Sequence, residues 1–168
     1  GIWYSNLISI QGHSYDTTTG VGNSQIAIIR QNAPHQGYYW KGSTWTVNEE
    51  WLDYTGGTAQ DWNYSISTTT WISGDRYKVK SKATDNTDYN ANVEIASSGN
   101  IFTFDNTAPI SITTYPVSGV GYSELPGIYG TASDLDSGVY PAGVNKGWIS
   151  LQKNPNGQPP GNFLVDPS

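Results

Sequence analysis

The side chains able to carry chemistry are few and unevenly placed. The chain holds two histidines, His13 and His35, and no cysteine, against fourteen Asp and Glu residues. Without a thiol there is no disulfide scaffold, no thiolate metal site and no cysteine nucleophile. No Gly-x-Ser-x-Gly elbow, His-Glu-x-x-His pair or phosphate-cradling glycine loop occurs. Glu49-Glu50 reads as a solvated charge rather than half of a glycosidase pair. No catalytic residues are therefore expected, and no Lys, Asn and Glu spacing singles out an isopeptide cross-link. The carboxylates gather instead in short polar stretches: Asp16-Thr-Thr-Thr-Gly20, Asp85-Asn-Thr-Asp88-Tyr-Asn-Ala-Asn-Val-Glu94, Asp105-Asn106 and Asp134-Leu-Asp136-Ser-Gly138. Hard oxygen donors of this kind suit Ca²⁺, which takes about six to eight oxygens and tolerates irregular geometry. The same residues also fit turns unaided, because Asp and Asn bond nearby backbone and Gly accepts positive φ. The choice between the two depends on which stretches the fold brings together.

The elements that must position them read as strands. No stretch repeats apolar residues at helical spacing for three turns, whereas alternation at period two is frequent. Strands are expected over 7–13, 25–31, 38–40, 44–47, 61–66, 77–83 and 101–104. Lys41-Gly42-Ser43 forms a hairpin loop between the third and fourth. Tyr77, Val79, Ser81 and Ala83 alternate with Lys78, Lys80 and Lys82, which predicts an inward row and a solvated stripe. Seven short strands in about 105 residues predict an antiparallel β-sandwich. Tyr77, just after the Gly74-Asp75 turn, has the sequence look of a tyrosine corner entering the sixth strand of an immunoglobulin-like sandwich. Packing must replace the usual inter-sheet disulfide, and Trp40, Trp45 and Trp62 are the candidates.

An internal repeat sets the organisation. Gly1, Tyr4, Ser5, Leu7, Ile10, Gly12 and Asp16 lie over Gly119, Tyr122, Ser123, Leu125, Ile128, Gly130 and Asp134, an offset of 118 positions. The register continues through Gly20-Val21 and Gly138-Val139. After a short insertion, Ile26-Ala-Ile-Ile-Arg30 corresponds to Ile149-Ser-Leu-Gln-Lys153. The expected organisation is an Ig-like repeat over 1–105, a linker over 106–118 and an incomplete second repeat over 119–168. The second repeat has counterparts only for the opening strands of the first. Either the chain is excised from a longer tandem array, or a partner supplies the missing strands. Gly1-Ile-Trp-Tyr-Ser5 has no charged leader character, so an exported protein would contain this chain as a processed piece.

At several points the sequence resembles bacterial Ig-like repeats of large extracellular surface, adhesin and matrix proteins. The residues that carry the resemblance are Gly130-Thr-Ala-Ser-Asp-Leu-Asp-Ser-Gly-Val139 and the pairing of Tyr39-Trp40-Lys-Gly-Ser-Thr-Trp45 with Asp61-Trp62-Asn-Tyr64. To these add Gly74-Asp-Arg-Tyr-Lys-Val79, Ala83-Thr-Asp-Asn86 and Phe104-Asp-Asn-Thr-Ala-Pro109. The last is similar to the linker that carries calcium ligands between cadherin-type repeats. In an Ig-like sandwich the second-to-third and sixth-to-seventh strand loops share the N-terminal tip with the incoming linker. The resemblance thus implies metal ligands at Asp16, Asp85, Asp88, Asp105, Asn106, Asp134 and Asp136, with Ca²⁺ rigidifying the joints between repeats.

Composition narrows the function further. Eight Lys and Arg against fourteen acids give a net charge of −6 and no field for phosphates, so nucleic acid is not an expected partner. No apolar run reaches the ~18 residues of a membrane span. Trp and Tyr number 19, and Ser and Thr together 35, an inventory common in secreted and surface proteins. Most rings are expected in the core. Trp3, Trp51 and Trp148, near strand ends or turns, are the candidates for exposed, ligand-stacking rings. The expectation is a structural or adhesive module of an extracellular bacterial surface layer, stalk or biofilm matrix. Its partners would be neighbouring repeats, other copies of itself or surface polysaccharide. A carbohydrate-binding domain and a phage or viral fibre segment are the alternatives.

Overall fold

Alternating side chains in the longest strands decide the architecture. A computed structural model describes residues 1–87, 90–135 and 140–153, together with the backbone of 163–164. In the first sheet, β1 (Trp3–Tyr4), β10 (Asn100–Phe104), β9 (Asp75–Asp85), β3 (Val21–Arg30), β4 (Tyr39–Trp40) and β5 (Trp45–Thr46) follow one another. β6 (Leu52–Asp53) pairs with the early half of β3, through Gln25 and Ile26. In the second sheet, β8 (Asp61–Ser65) lies between β2 (Ser9–His13) and β7 (Gly56–Gly57). Every pairing is antiparallel except that of β1 with β10. Among the described residues there is no α-helix; one 3₁₀ turn spans Thr68–Thr70, capped by Ser67.

The two sheets share one aromatic core. Tyr77, Phe102 and Phe104 come from the first sheet, Trp62 and Tyr64 from the second, and Ile26 and Ile28 from β3. Trp71 sits among them, with its ring centroid 4.8 Å from that of Tyr77 and 5.4 Å from that of Phe102, both edge to face. That geometry suits the ring quadrupoles. Its indole N–H donates to the Leu7 carbonyl at 2.7 Å, and that of Trp62 donates to Ser14 Oγ at 3.1 Å. The polar edge of each indole is thereby satisfied inside the protein. Trp40 and Trp62 are buried and Trp45 packs on the cluster, as their spacing suggested.

Tyr77 is fully buried and its hydroxyl accepts a hydrogen bond from the Ile72 N–H at 2.8 Å. The chain reaches it through Gly74, whose φ of +75° is open to glycine and strained for other residues. Burial pushes the Tyr77 phenol up to about 12; the Ile72 N–H works against that shift, the Asp75 charge adds to it and Arg30 opposes it. Asp75 and Arg30 are both buried and form an ion pair across β9 and β3. Arg30 Cζ lies 5.7 Å from the Trp45 ring centroid. On the opposite face of β9, Lys78, Lys80 and Lys82 are half-exposed.

Contacts group residues 1–108 with 134–142 as one compact body and 109–133 with 143–168 as another. In the first body, Tyr140 N–H donates to the Gly74 carbonyl at 3.0 Å, and Arg76 lies 4.8 Å from the Tyr140 ring centroid. The second body contains β11 (Ile110–Tyr115) antiparallel to β12 (Tyr129–Ser133), and β13 (Leu151–Gln152) antiparallel to β14 (Phe163–Leu164). The stretch read as a linker thus contains a strand: Ile110 and Ile112 alternate with Ser111 and Thr113 between two prolines. Ile110, Ile112, Tyr129, Trp148 and Ile149 are each more than half exposed.

Candidate functional site

Polar loops at one end of the first body enclose a concavity. The loop after β2 brings in Asp16, and the end of β9 with the segment after it brings in Asp85, Asn92 and Glu94. They line a hollow of about 540 Å³, with Tyr15, Val21 and Ala83 among its walls. Two stretches almost seventy positions apart in the chain therefore meet, as a loop-to-loop tip requires. The long pairing of β3 with β9, from Val21–Asp85 to Arg30–Tyr77, is what places them together.

The two aspartates bond to residues that follow them closely in sequence, and Glu94 bonds to the backbone of β9. Asp16 Oδ1 accepts from the Thr18 N–H at 2.9 Å and from Thr18 Oγ1 at 2.8 Å, and its Oδ2 accepts from Thr19 Oγ1 at 2.8 Å. These bonds favour the charged form, the Thr18 N–H most of all, and hold the Asp16 carboxyl down at about 2. Asp85 Oδ1 accepts from the Asn92 N–H at 2.9 Å and from Thr87 Oγ1 at 2.9 Å, and Oδ2 accepts from Asn92 Nδ2 at 2.6 Å. The Asn92 side chain is the chief cause of its lowered pKa. Glu94 Oε2 accepts from the Ala83 N–H at 3.0 Å. Both aspartates thus stay ionised and facing water in a fixed geometry.

Asp105 has a different setting. It is buried, and its carboxylate accepts from Ser73 Oγ at 3.2 Å, the Thr107 N–H at 3.0 Å and the Ala142 N–H. Ser73 Oγ in turn accepts from the N–H of Asn106 at 2.9 Å and from Thr107 Oγ1 at 2.9 Å. Asp105 and Asn106 are thereby woven into the turn that follows β10. Asp134 is half-buried in the same body. Asp88 and Asp136 lie outside the described residues. Among the described residues, no three His, Asp or Glu side chains stand together in a group fit for a metal ion.

The three candidate rings separate. Trp3, on β1, is 46% exposed, and Trp148, in the second body, is 81% exposed with Lys146 Nζ 4.1 Å from its ring centroid. Trp51 departs from the expectation of exposure. It is half-buried, with Lys82 Nζ 4.3 Å from its ring centroid and its indole N–H donated to Glu49 Oε1 at 3.0 Å. Lys82 reaches it because Gln25 pairs both with Asp53, just after Trp51, and with Lys82 on β9. His13 Nδ1 lies 2.7 Å from Asp61 Oδ1 across β2 and β8, and both side chains are exposed.

Comparison with family models, with curated proteins and with solved structures finds no match. Among the described residues no helix is long and apolar enough to cross a membrane.

Proposed function

We propose that this chain is part of a tandem Ig-like array in an extracellular bacterial surface-layer, stalk or biofilm-matrix protein, acting through structure and adhesion and not through catalysis. The observation that carries the reading is the 118-position recurrence, which lays Tyr129–Thr131 of β12 over Gln11–His13 of β2 and gives the second body the opening of the same unit. The strand order supports the Ig-like assignment. A β2-β8-β7 sheet faces a β10-β9-β3-β4 sheet, and β1 joins β10 in parallel. The Tyr77 hydroxyl, bonded to backbone five residues upstream, supports it again. In such an array each unit is stabilised by its own core and by its neighbours, so modest domains add up to a long element. Electron microscopy of a tandem array built from this repeat tests the reading. Evenly spaced beads along an extended strand are expected, and compact, unbeaded particles would sink it.

The array reading stands without a metal. Calcium enters it through Asp16 and Asp85, which present two ionised carboxylates to one hollow whose rim includes Glu94. If Ca²⁺ binds only the folded chain, its addition raises the melting midpoint by mass action. A rise of several degrees between excess chelator and millimolar calcium, lost in Asp85→Asn, would add the ion to the joint. An unchanged midpoint would leave these loops as hydrogen-bonded turns.

A further inference from the structure

Cations are scarce in this chain, with eight Lys and Arg against fourteen acids, yet four of the eight stand on one strand. Arg76, Lys78, Lys80 and Lys82 take alternate positions of β9 on the face turned away from the core, since Tyr77 and Val79 between them pack inward. Two residues of extended chain advance about 6.8 Å, so the four charges form a row about 20 Å long. β3 pairs with β9 along its length and β10 with its first half, while the N–H groups of Ser97 and Glu94 donate to its second half. The row therefore runs over the face of a sheet and not along an edge.

This row is firmly based and uncompensated. Ala27 and Ile29 stand opposite Lys80 and Lys78 on the same outer face and are buried there, so the lysine stems rise from a packed floor. At one end Arg76 lies 4.8 Å from the Tyr140 ring centroid, and at the other Lys82 Nζ lies 4.3 Å from that of Trp51. Such contacts steady a cation without cancelling its charge. Among the described residues none of the four forms an ion pair; the close pairs are His13 with Asp61 and Arg30 with Asp75. Asp53 stands in the register row of Lys82, across Gln25, and accepts from Asn23 Nδ2 and Gln25 Nε2 at 3.0 Å each. Its charge tempers the Lys82 end and leaves Arg76, Lys78 and Lys80 as the open part of the row.

From this row we infer that the outer face of the first sheet binds a linear acidic polysaccharide, whose carboxylates lie along the β9 cations. A straight row calls for an extended ligand, and ammonium groups are point donors that accept carboxylates from a range of directions. The net charge of −6 disfavours a dense polyanion such as duplex DNA, with one charge per about 1.7 Å, whereas a sugar chain spreads its carboxylates over whole rings. A protein partner would draw its affinity from buried apolar anchors, and the row offers charge in their place. Each exposed contact is weak, so binding comes from several engaged together along one chain. The inference gives the adhesive side of the proposed function a partner and rests on that side alone. It uses neither the array nor calcium: failure to bind would leave a beaded array standing, and unbeaded particles would leave a binding result standing.

Calorimetric titration of the intact chain with sodium polygalacturonate tests it, with dextran as the uncharged counterpart. Binding to polygalacturonate and not to dextran is expected. It should weaken at least about tenfold between about 0.01 and 0.1 M NaCl, as the Debye length falls from about 30 to about 10 Å. Lys78→Gln with Lys80→Gln should weaken it at least about fivefold. Lys41→Gln with Lys146→Gln removes the same charge at exposed positions off β9 and should change it less than about twofold. Thermal melts check that both double variants are folded. Should the β9 variant unfold, the native chain decides: bound polymer should protect Lys78 and Lys80 from acetylation and leave Lys41 reactive. No binding at low salt, equal binding of dextran, equal weakening in the two double variants, or equal acetylation of the three lysines would each overturn the inference. So would tighter binding of single-stranded DNA or of poly-glutamate.

Discussion

Replacing Tyr77 by Phe removes one oxygen from a side chain that is fully buried. The ring volume is nearly conserved, so the loss falls on the 2.8 Å bond from the Ile72 N–H. A neutral hydrogen bond of this kind contributes about 1 kcal/mol net. For a body of this size that lowers the midpoint by roughly 4–6 °C. The second consequence appears in alkali. The phenol ionises near 10 in the unfolded chain and near 12 in the fold, where burial opposes its charge. A raised folded value means the stabilisation is complete below the unfolded pKa and is lost as pH rises toward the folded one. Between those values the native protein loses about 1.4 kcal/mol per pH unit through this residue. All other ionisable groups are common to both proteins and cancel in the difference. Denaturant melts of the two proteins from pH 7 to 11.5 should therefore show the native chain ahead at neutral pH and the curves converging near pH 11. A Phe variant as stable as the native chain at pH 7, or a stability difference independent of pH, would refute the role assigned to the corner.

Arg30→Met leaves the Asp75 carboxylate buried without its partner and should cost about 3–5 kcal/mol, whereas Arg30→Met with Asp75→Leu should recover most of that in urea melts. Gly12→Ala drives a methyl group into the Trp62 indole and should cost about 1–3 kcal/mol, read from the same melts. Asp16 contributes stability that is present above the ordinary aspartate pKa of 3.8 and is lost as pH falls toward about 2. Asp16→Asn should lower the neutral midpoint and flatten that part of the acid melt, so that the two chains converge as pH falls toward about 2.

The strands were legible because their alternation is local. Tyr77, Val79 and Ser81 against three lysines mark β9, and the Gly-containing loop between Trp40 and Trp45 marks a hairpin. The tyrosine corner was legible for the same reason, since its Gly-Asp turn and its ring are neighbours in sequence. Trp71 belongs with the rings expected in the core and is buried there, although the threonines before it show no alternation that would set its direction. Its inward aim comes from the Thr68–Thr70 turn. The Arg30–Asp75 pair joins residues 45 positions apart through the β3–β9 register, which no local pattern encodes. The meeting of Asp16 with Asp85 followed from the expected sheet order. The burial of Asp105 did not, because it depends on Ser73 and Ala142 folding over the same turn. β11 was hidden by the prolines that bracket it, which suggested an extended linker where a paired strand stands.

If the chain is part of a tandem array, as proposed above, 118 residues form one mechanical unit that recurs along it. Pulling single molecules of a tandem array of residues 1–118 tests this most directly. Each unfolding event should release one whole unit, close to 118 residues at about 3.5 Å each less its folded length, in steps of uniform size. Steps of irregular length, or extension without discrete steps, would contradict the account.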